Sequence, residues 1–236
     1  MIAAQQNIAT QKDIARGLNK MIDYVEAFKR PFSDFQKYVI GVLLYIIPIV
    51  SLLSLGYIIE SAKLSIHRKN ELPEWKDFGR LFITGLLTFI ISFIYFIPLF
   101  IILLVGLGAK SFFQNFAYLA TTQDMLDIKT VFSTLGPLVF LLVFLAILAV
   151  YLFPAAILIF ADTKKFGHAF NLGRVFEVAF SREYPGPWII GIFIMVVLGA
   201  ILGSIPYIGP AISSFTGGMI FYTILGQAYS VIRNKL

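Results

Sequence analysis

Glu60, Lys63 and His67 recur at three- and four-residue spacing, so a helix through them sets a carboxylate, an ammonium and an imidazole on one face. That trio has the groups for proton transfer or for one edge of a metal site. The same spacing also makes a solvated, salt-bridged face, which is the commoner outcome. The other histidine is His168, so an enzyme would have to be assembled from Glu60, His67, Asp162, His168 and a few surface acids. The absence of cysteine removes thiolate metal ligands, iron–sulfur clusters, disulfides and thiol nucleophiles. Ser51, Ser54, Ser92, Ser204, Ser213 and Ser214 have no base nearby in sequence and no Gly-x-Ser-x-Gly elbow around them. Phosphate-loop and dinucleotide fingerprints are missing as well. The expectation is a protein that is not an enzyme, with no cofactor and no metal.

The elements that would position these groups are apolar. Of 236 residues, 58% are hydrophobic and 14% charged, where about 25% charged is usual in a soluble domain. Mean hydropathy is +0.85. Charge is missing altogether from Tyr38 to Ile59, Leu81 to Ala109, Thr130 to Ala161 and Tyr184 to Ile232. About 20 apolar residues cross the roughly 30 Å of hydrocarbon as a helix, so these runs read as membrane segments. The last run is too long for one crossing, and Ser204-Ile205-Pro206-Tyr207-Ile208-Gly209-Pro210 divides it. The fold class expected is all-α and polytopic, a single integral membrane domain over 1–236. Its transmembrane helices fall at 81–108, 136–161, 188–205 and 211–232, the second opening at Gly136-Pro137 and kinked by Pro154. Residues 1–37 form an amphipathic N-terminal segment.

The run at 38–60 is cut by Pro48 into halves too short to cross alone. If it spans, Lys and Arg divide almost evenly between the two faces. If it dips in and returns, 17 of the 19 basic residues share one face and Lys110 and Lys129 face the other. The positive-inside rule favours the re-entrant hairpin over a fifth span, with both termini cytoplasmic. It also requires other helices to cover Ile47 to Val50, since irregular backbone at depth is tolerated only inside protein. The basic excess of +6 then faces an anionic cytoplasmic leaflet, the first partner expected. Its charges are mixed in sign and spread over four segments, which argues against nucleic acid.

From Ile8 to Phe28, apolar positions recur at three or four residues opposite Lys12, Asp13, Arg16, Lys20 and Asp23, an amphipathic helix for a leaflet or a partner's groove. A second such helix sets Phe166, Phe170, Gly173, Phe176 and Phe180 opposite Lys164, His168, Asn171, Arg174 and Glu177. Aromatic-proline clusters announce the membrane entries, and Pro73, Glu74, Trp75, Asp77 and Trp188 are the expected interfacial anchors. Gly199, Gly203, Ser214 and Gly218 carry the small side chains that let helices approach closely, expected to pack the last two spans together. Thr84, Thr88, Ser92 and Tyr95 make one polar stripe, either bonding neighbouring helices or lining a path. Ile47-Pro48-Ile49 and Ile205-Pro206-Tyr207 look alike, a match short enough for chance and membrane composition to explain.

Leu72-Pro73-Glu74-Trp75-Lys76-Asp77-Phe78-Gly79-Arg80-Leu81-Phe82, with Gly56-Tyr57 before it and Leu225-Gly226-Gln227-Ala228-Tyr229 at the close, resembles a prokaryotic multi-pass membrane family, domain of unknown function 4013. The resemblance covers about Ala27 to Arg233. It implies a polytopic helical fold in a prokaryotic cell membrane and carries no activity and no site residues. The function expected is an accessory or scaffold subunit of a membrane assembly, partnered by other membrane subunits or by its own copies. The alternative is a small-solute or lipid conduit, using the Pro-broken segments and the polar stripe.

Overall fold

A computed structural model describes residues 22–107 and 128–235, with side chains at 22–104 and 140–235. The amphipathic segment up to Met21, the charges Lys110, Asp124 and Asp127 and the side chain of Lys129 lie outside what is described. The described residues are mostly helical, with no strand among them. In order run α1 (Tyr24–Lys29), a 3-10 turn (Arg30–Phe32), α2 (Phe35–Ile46), α3 (Ser51–Ile66), α4 (Phe78–Leu107) and α5 (Ile128–Thr163). A second 3-10 turn (Phe166–Phe170), α6 (Leu172–Ala179), α7 (Pro185–Leu202) and α8 (Ile208–Arg233) complete it. Of these, α4, α5, α7 and α8 are long and apolar enough to cross a membrane.

Local chemistry sets the boundaries. Side-chain oxygens of Asp23, Asp34, Asp77 and Asn171 accept from backbone amides three residues on, capping α1, α2, α4 and α6. Pro185 occupies the first turn of α7, where its missing N–H costs nothing. α2 stops because Pro48 drives Ile47 to an extended conformation, φ −92° and ψ 118°. Against expectation, α5 starts at Ile128 and runs through Gly136-Pro137 and Pro154 without a break. One lost amide per proline costs an apolar helix less than unwinding its backbone where water is scarce.

Two compact units form: residues up to Phe89 together with those from Ala155 on, and Ile90–Pro154. In the smaller unit α4 meets α5 through Phe96 and Phe153, ring centroids 6.4 Å apart. In the larger, α8 is the enclosed helix, with 78% of its apolar window buried against 11% for α7. It packs on α7, α3, α2 and α1.

α2 and α3 lie side by side as a helical hairpin. Ser54 Oγ donates to the Gly41 carbonyl at 2.8 Å, so the chain has reversed between them. At Gly41 the backbone faces the ring of Phe215, and any Cβ would overlap it. The turn is a γ-turn on Ile49, φ 63°, with Val50 N–H donating to the Pro48 carbonyl at 2.6 Å. The same turn joins α7 to α8: Tyr207 sits at φ 61° and ψ −52°, and Ile208 N–H meets the Pro206 carbonyl at 2.7 Å. The two Ile-Pro motifs therefore build one structure twice.

The hairpin tip corrects an expectation. Ile47 and Ile49 are 52% and 73% exposed, not covered by other helices. Amides of Val50, Ser51, Leu52 and Leu53 all find carbonyls within the turn itself, so the irregular backbone needs no cover for them.

Candidate functional site

Charged side chains from several segments gather near the last turns of α8. Glu60 at the end of α3 accepts from Lys164 Nζ at 2.8 Å. Asp162 at the end of α5 accepts from Arg233 Nη1 at 2.7 Å and stands 3.5 Å from His67 Nε2. Arg30 reaches Ser61 Oγ, the Glu71 carbonyl and Glu26. Gln227 of α8 ties in α1, accepting from Asp23 N–H at 2.7 Å and donating to Glu26 at 3.1 Å. Arg68 donates to the Gln227 carbonyl at 3.0 Å. Segments separated by up to 204 residues are thus braced to one helix end.

Burial disfavours charge here and the pairing offsets it. Desolvation lowers the Lys164 pKa, opposed by its bond to Glu60. Desolvation likewise lowers that of Arg30, opposed by Glu26. Glu60 and Asp162 are each paired with a cation, Lys164 and Arg233. The two carboxylates pair with different partners, and His168 is not among the braced groups, so the four candidate acid–base residues are not brought together. Among the described residues no three carboxylate or imidazole groups converge as metal ligands would.

Three of the expected anchors make contacts within the chain. Trp75 stacks flat on buried Tyr57, centroids 4.2 Å apart and 8° between planes, and donates from Nε1 to the Lys37 carbonyl at 3.1 Å. Glu74 takes Lys37 Nζ at 2.6 Å, and Asp77 caps α4. Pro73 is half-buried, as is Trp188 in the first turn of α7. The segment 72–78 therefore straps the open end of the α2–α3 hairpin. An aromatic beside a proline reads alike for lipid and for protein, so sequence offered no signal to separate them.

The packing residues divide. A Cβ on Gly199 would meet nothing, and one on Gly203 only the end of its own helix. α7 and α8 approach instead at Gly191, which faces Phe221, and at Gly217, which faces Met195. Gly218 does pack closely, against Ile58 of α3. The closest crossing is one the sequence reading passed over: Gly56 of α3 lies on the Leu81 carbonyl, and Gly85 of α4 on the Leu52 carbonyl. In the stripe, Thr84 and Thr88 are buried, and Thr88 Oγ1 donates to the Thr84 carbonyl at 2.8 Å. Ser92 and Tyr95 belong to the smaller unit and are half-buried.

Two open clefts adjoin the braced end. One, of about 390 Å³, is lined by Asp34, Lys37, Glu71 and Glu74 among others. The other, of about 440 Å³, is lined by Asn171, Gly173, Arg174, Glu177 and Arg233.

A family model described as "Protein of unknown function (DUF4013)" matches residues 39–207. The match includes Gly56-Tyr57 and the whole 72–82 motif and stops at the second γ-turn, short of Leu225–Tyr229. No curated protein and no solved structure matches the chain.

Proposed function

Because the chain belongs to the DUF4013 family, whose description assigns no activity, we propose on physical grounds that it is a noncatalytic scaffold or accessory subunit of a membrane assembly. The observation that carries this is the braced end of α8. Arg30, Glu60, Asp162, Lys164 and Arg233 are each held by a partner from another part of the chain, so they fix helices to one another. Three hydroxyls do the same: Ser54, Thr88 and Tyr38 bond to a carbonyl or to another hydroxyl inside the packing. A rigid bundle with apolar outer faces suits a partner-holding role better than a path for solute.

In this reading the braced end faces the cytoplasm of a prokaryotic cell, both termini lie there, and its basic excess meets an anionic leaflet. The α2–α3 hairpin enters the bilayer from that side and returns. α6 is an amphipathic helix at headgroup level, showing Leu172, Phe176 and Phe180 outward.

Cross-linking in the native membrane followed by gentle extraction and intact-complex mass spectrometry tests the proposal. A stoichiometric membrane partner, recovered whichever of the two carries the tag, is the expected result. A lone homo-oligomer that passes solute in liposomes, with flux abolished by Thr88→Leu and Ser92→Leu, would overturn it in favour of a conduit.

A further inference from the structure

α6 presents two unlike surfaces side by side. Its inner face, Val175, Val178 and Ala179, is buried. On one flank Leu172, Phe176 and Phe180 recur every four residues and are 55%, 40% and 64% exposed, with the two phenyl rings stacked at 5.8 Å. On the other flank opens the cleft of about 440 Å³. Arg174 and Glu177 line it three residues apart, too far for an ion pair with each other, and neither has an ion-pair partner among the described residues. Arg174 reaches only the phenol of Tyr229, at 3.5 Å, the outer limit of a hydrogen bond. Arg233 closes the cleft with Nη1 committed to Asp162 at 2.7 Å and the rest of its fork unused.

One unpaired cation and one unpaired anion thus share a cleft whose rim continues into an apolar, aromatic strip. A free inorganic anion would answer the arginines and leave Glu177 opposed. An apolar peptide would cover the strip and leave both charges unmet. We propose that this cleft binds the headgroup of a phospholipid carrying a primary amine, with the phosphodiester on Arg174 and Arg233, the ammonium on Glu177 and an acyl chain along Phe176 and Phe180. Guanidinium forks suit phosphate oxygens, carboxylates suit ammonium groups, and aromatic rings suit the acyl boundary. The assignment rests on α6 lying at headgroup level. It is separate from the scaffold role, since a subunit without a partner could still hold this lipid and a subunit with one could lack it.

The test is intact-protein mass spectrometry of the full chain, titrated in detergent with phosphatidylethanolamine or phosphatidylcholine of identical acyl chains. The expected result is one retained phosphatidylethanolamine, bound about tenfold more tightly than phosphatidylcholine, whose quaternary ammonium donates no hydrogen bond. Arg174→Gln and Glu177→Gln should each bring the two lipids to within about twofold, while Lys76→Gln, remote in sequence and exposed, leaves the preference intact. Glu177 is exposed and caps nothing, so its variant keeps the question answerable if Arg174→Gln unfolds. Equal retention of both lipids by the wild type, or an unchanged preference in Glu177→Gln, would overturn the site. Displacement of the lipid by soluble phosphoethanolamine at equal concentration would overturn the lipid as its source, since the strip would then contribute nothing.

Discussion

Lys37 shows how a single residue works in two directions. Its backbone carbonyl accepts from the Trp75 indole and its ammonium donates to Glu74, so the 72–78 strap is fastened twice to α2. The hydrogen bond and charge of Lys37 hold the Glu74 carboxyl below its ordinary range. A depressed folded pKa stabilises the fold above the unfolded value of about 4.5, and that stabilisation is lost as pH falls through the lower folded value. Glu74 is fully exposed, so the effect is small and weakened by salt. In detergent, the thermal midpoint of the wild type should therefore fall more steeply than that of Glu74→Gln between about pH 5 and about pH 3, with the two converging at the acid end. Parallel curves throughout would mean the strap is held by Trp75 alone. None of these pairings was legible beforehand. Sequence supplied the trio Glu60, Lys63 and His67 by helical spacing, but Glu60 found Lys164, 104 residues away, and His67 came near Asp162. Spacing reports neighbours on one helix and is silent about neighbours on the next.

Where helices break at Pro48 and Pro206 could be read, because proline is a local rule, whereas the start of α5 at Ile128 could not, since Gly136-Pro137 lies inside the helix. Where helices touch could not. Small residues announced close approach at Gly199 and Gly203, yet the approaches fell at Gly56, Gly85, Gly191 and Gly217, since which glycine faces a neighbour depends on the rotation of a helix already packed. The contrast can be measured. Gly85→Ala places a methyl on the Leu52 carbonyl, a backbone atom that cannot swing aside, and should cost about 3 kcal/mol or abolish folding. Gly199→Ala meets open space within a helix and should be neutral or stabilising by up to about 1 kcal/mol. Denaturant titration in mixed micelles distinguishes them, and equal effects would reject the crossing. The γ-turns give the opposite sign. Tyr207 holds φ 61° at 83% exposure, so Tyr207→Gly removes backbone strain and almost no packing, and should stabilise by about 1 kcal/mol. A loss of stability would show that the ring is engaged by something outside this chain.

At the scale of the whole chain, the braced end and the α2–α3 hairpin make one statement about topology. The twelve residues of α2 rise only about 18 Å, against about 30 Å of hydrocarbon. The eighteen of α7 rise about 27 Å, nearly a full crossing. α2 by itself therefore rises too little to cross, as a hairpin that enters and returns requires. Exposed isoleucines at such a depth are compatible with lipid, because the turn's own carbonyls satisfy the amides that follow it. The basic count that favours a hairpin in the sequence proposes such a reversal, and the chain does reverse between α2 and α3. What sequence could not supply was that the tip needs no protein cover. The chain has no cysteine, so single substitutions report without background. With a membrane-impermeant maleimide, Asn70→Cys and Asn234→Cys should label only in inverted vesicles and Ser204→Cys only in right-side-out ones. Ile49→Cys should label in neither until detergent is added. Labelling of Ile49→Cys alongside Ser204→Cys would mean that α2 reaches the far face and the first apolar segment spans after all.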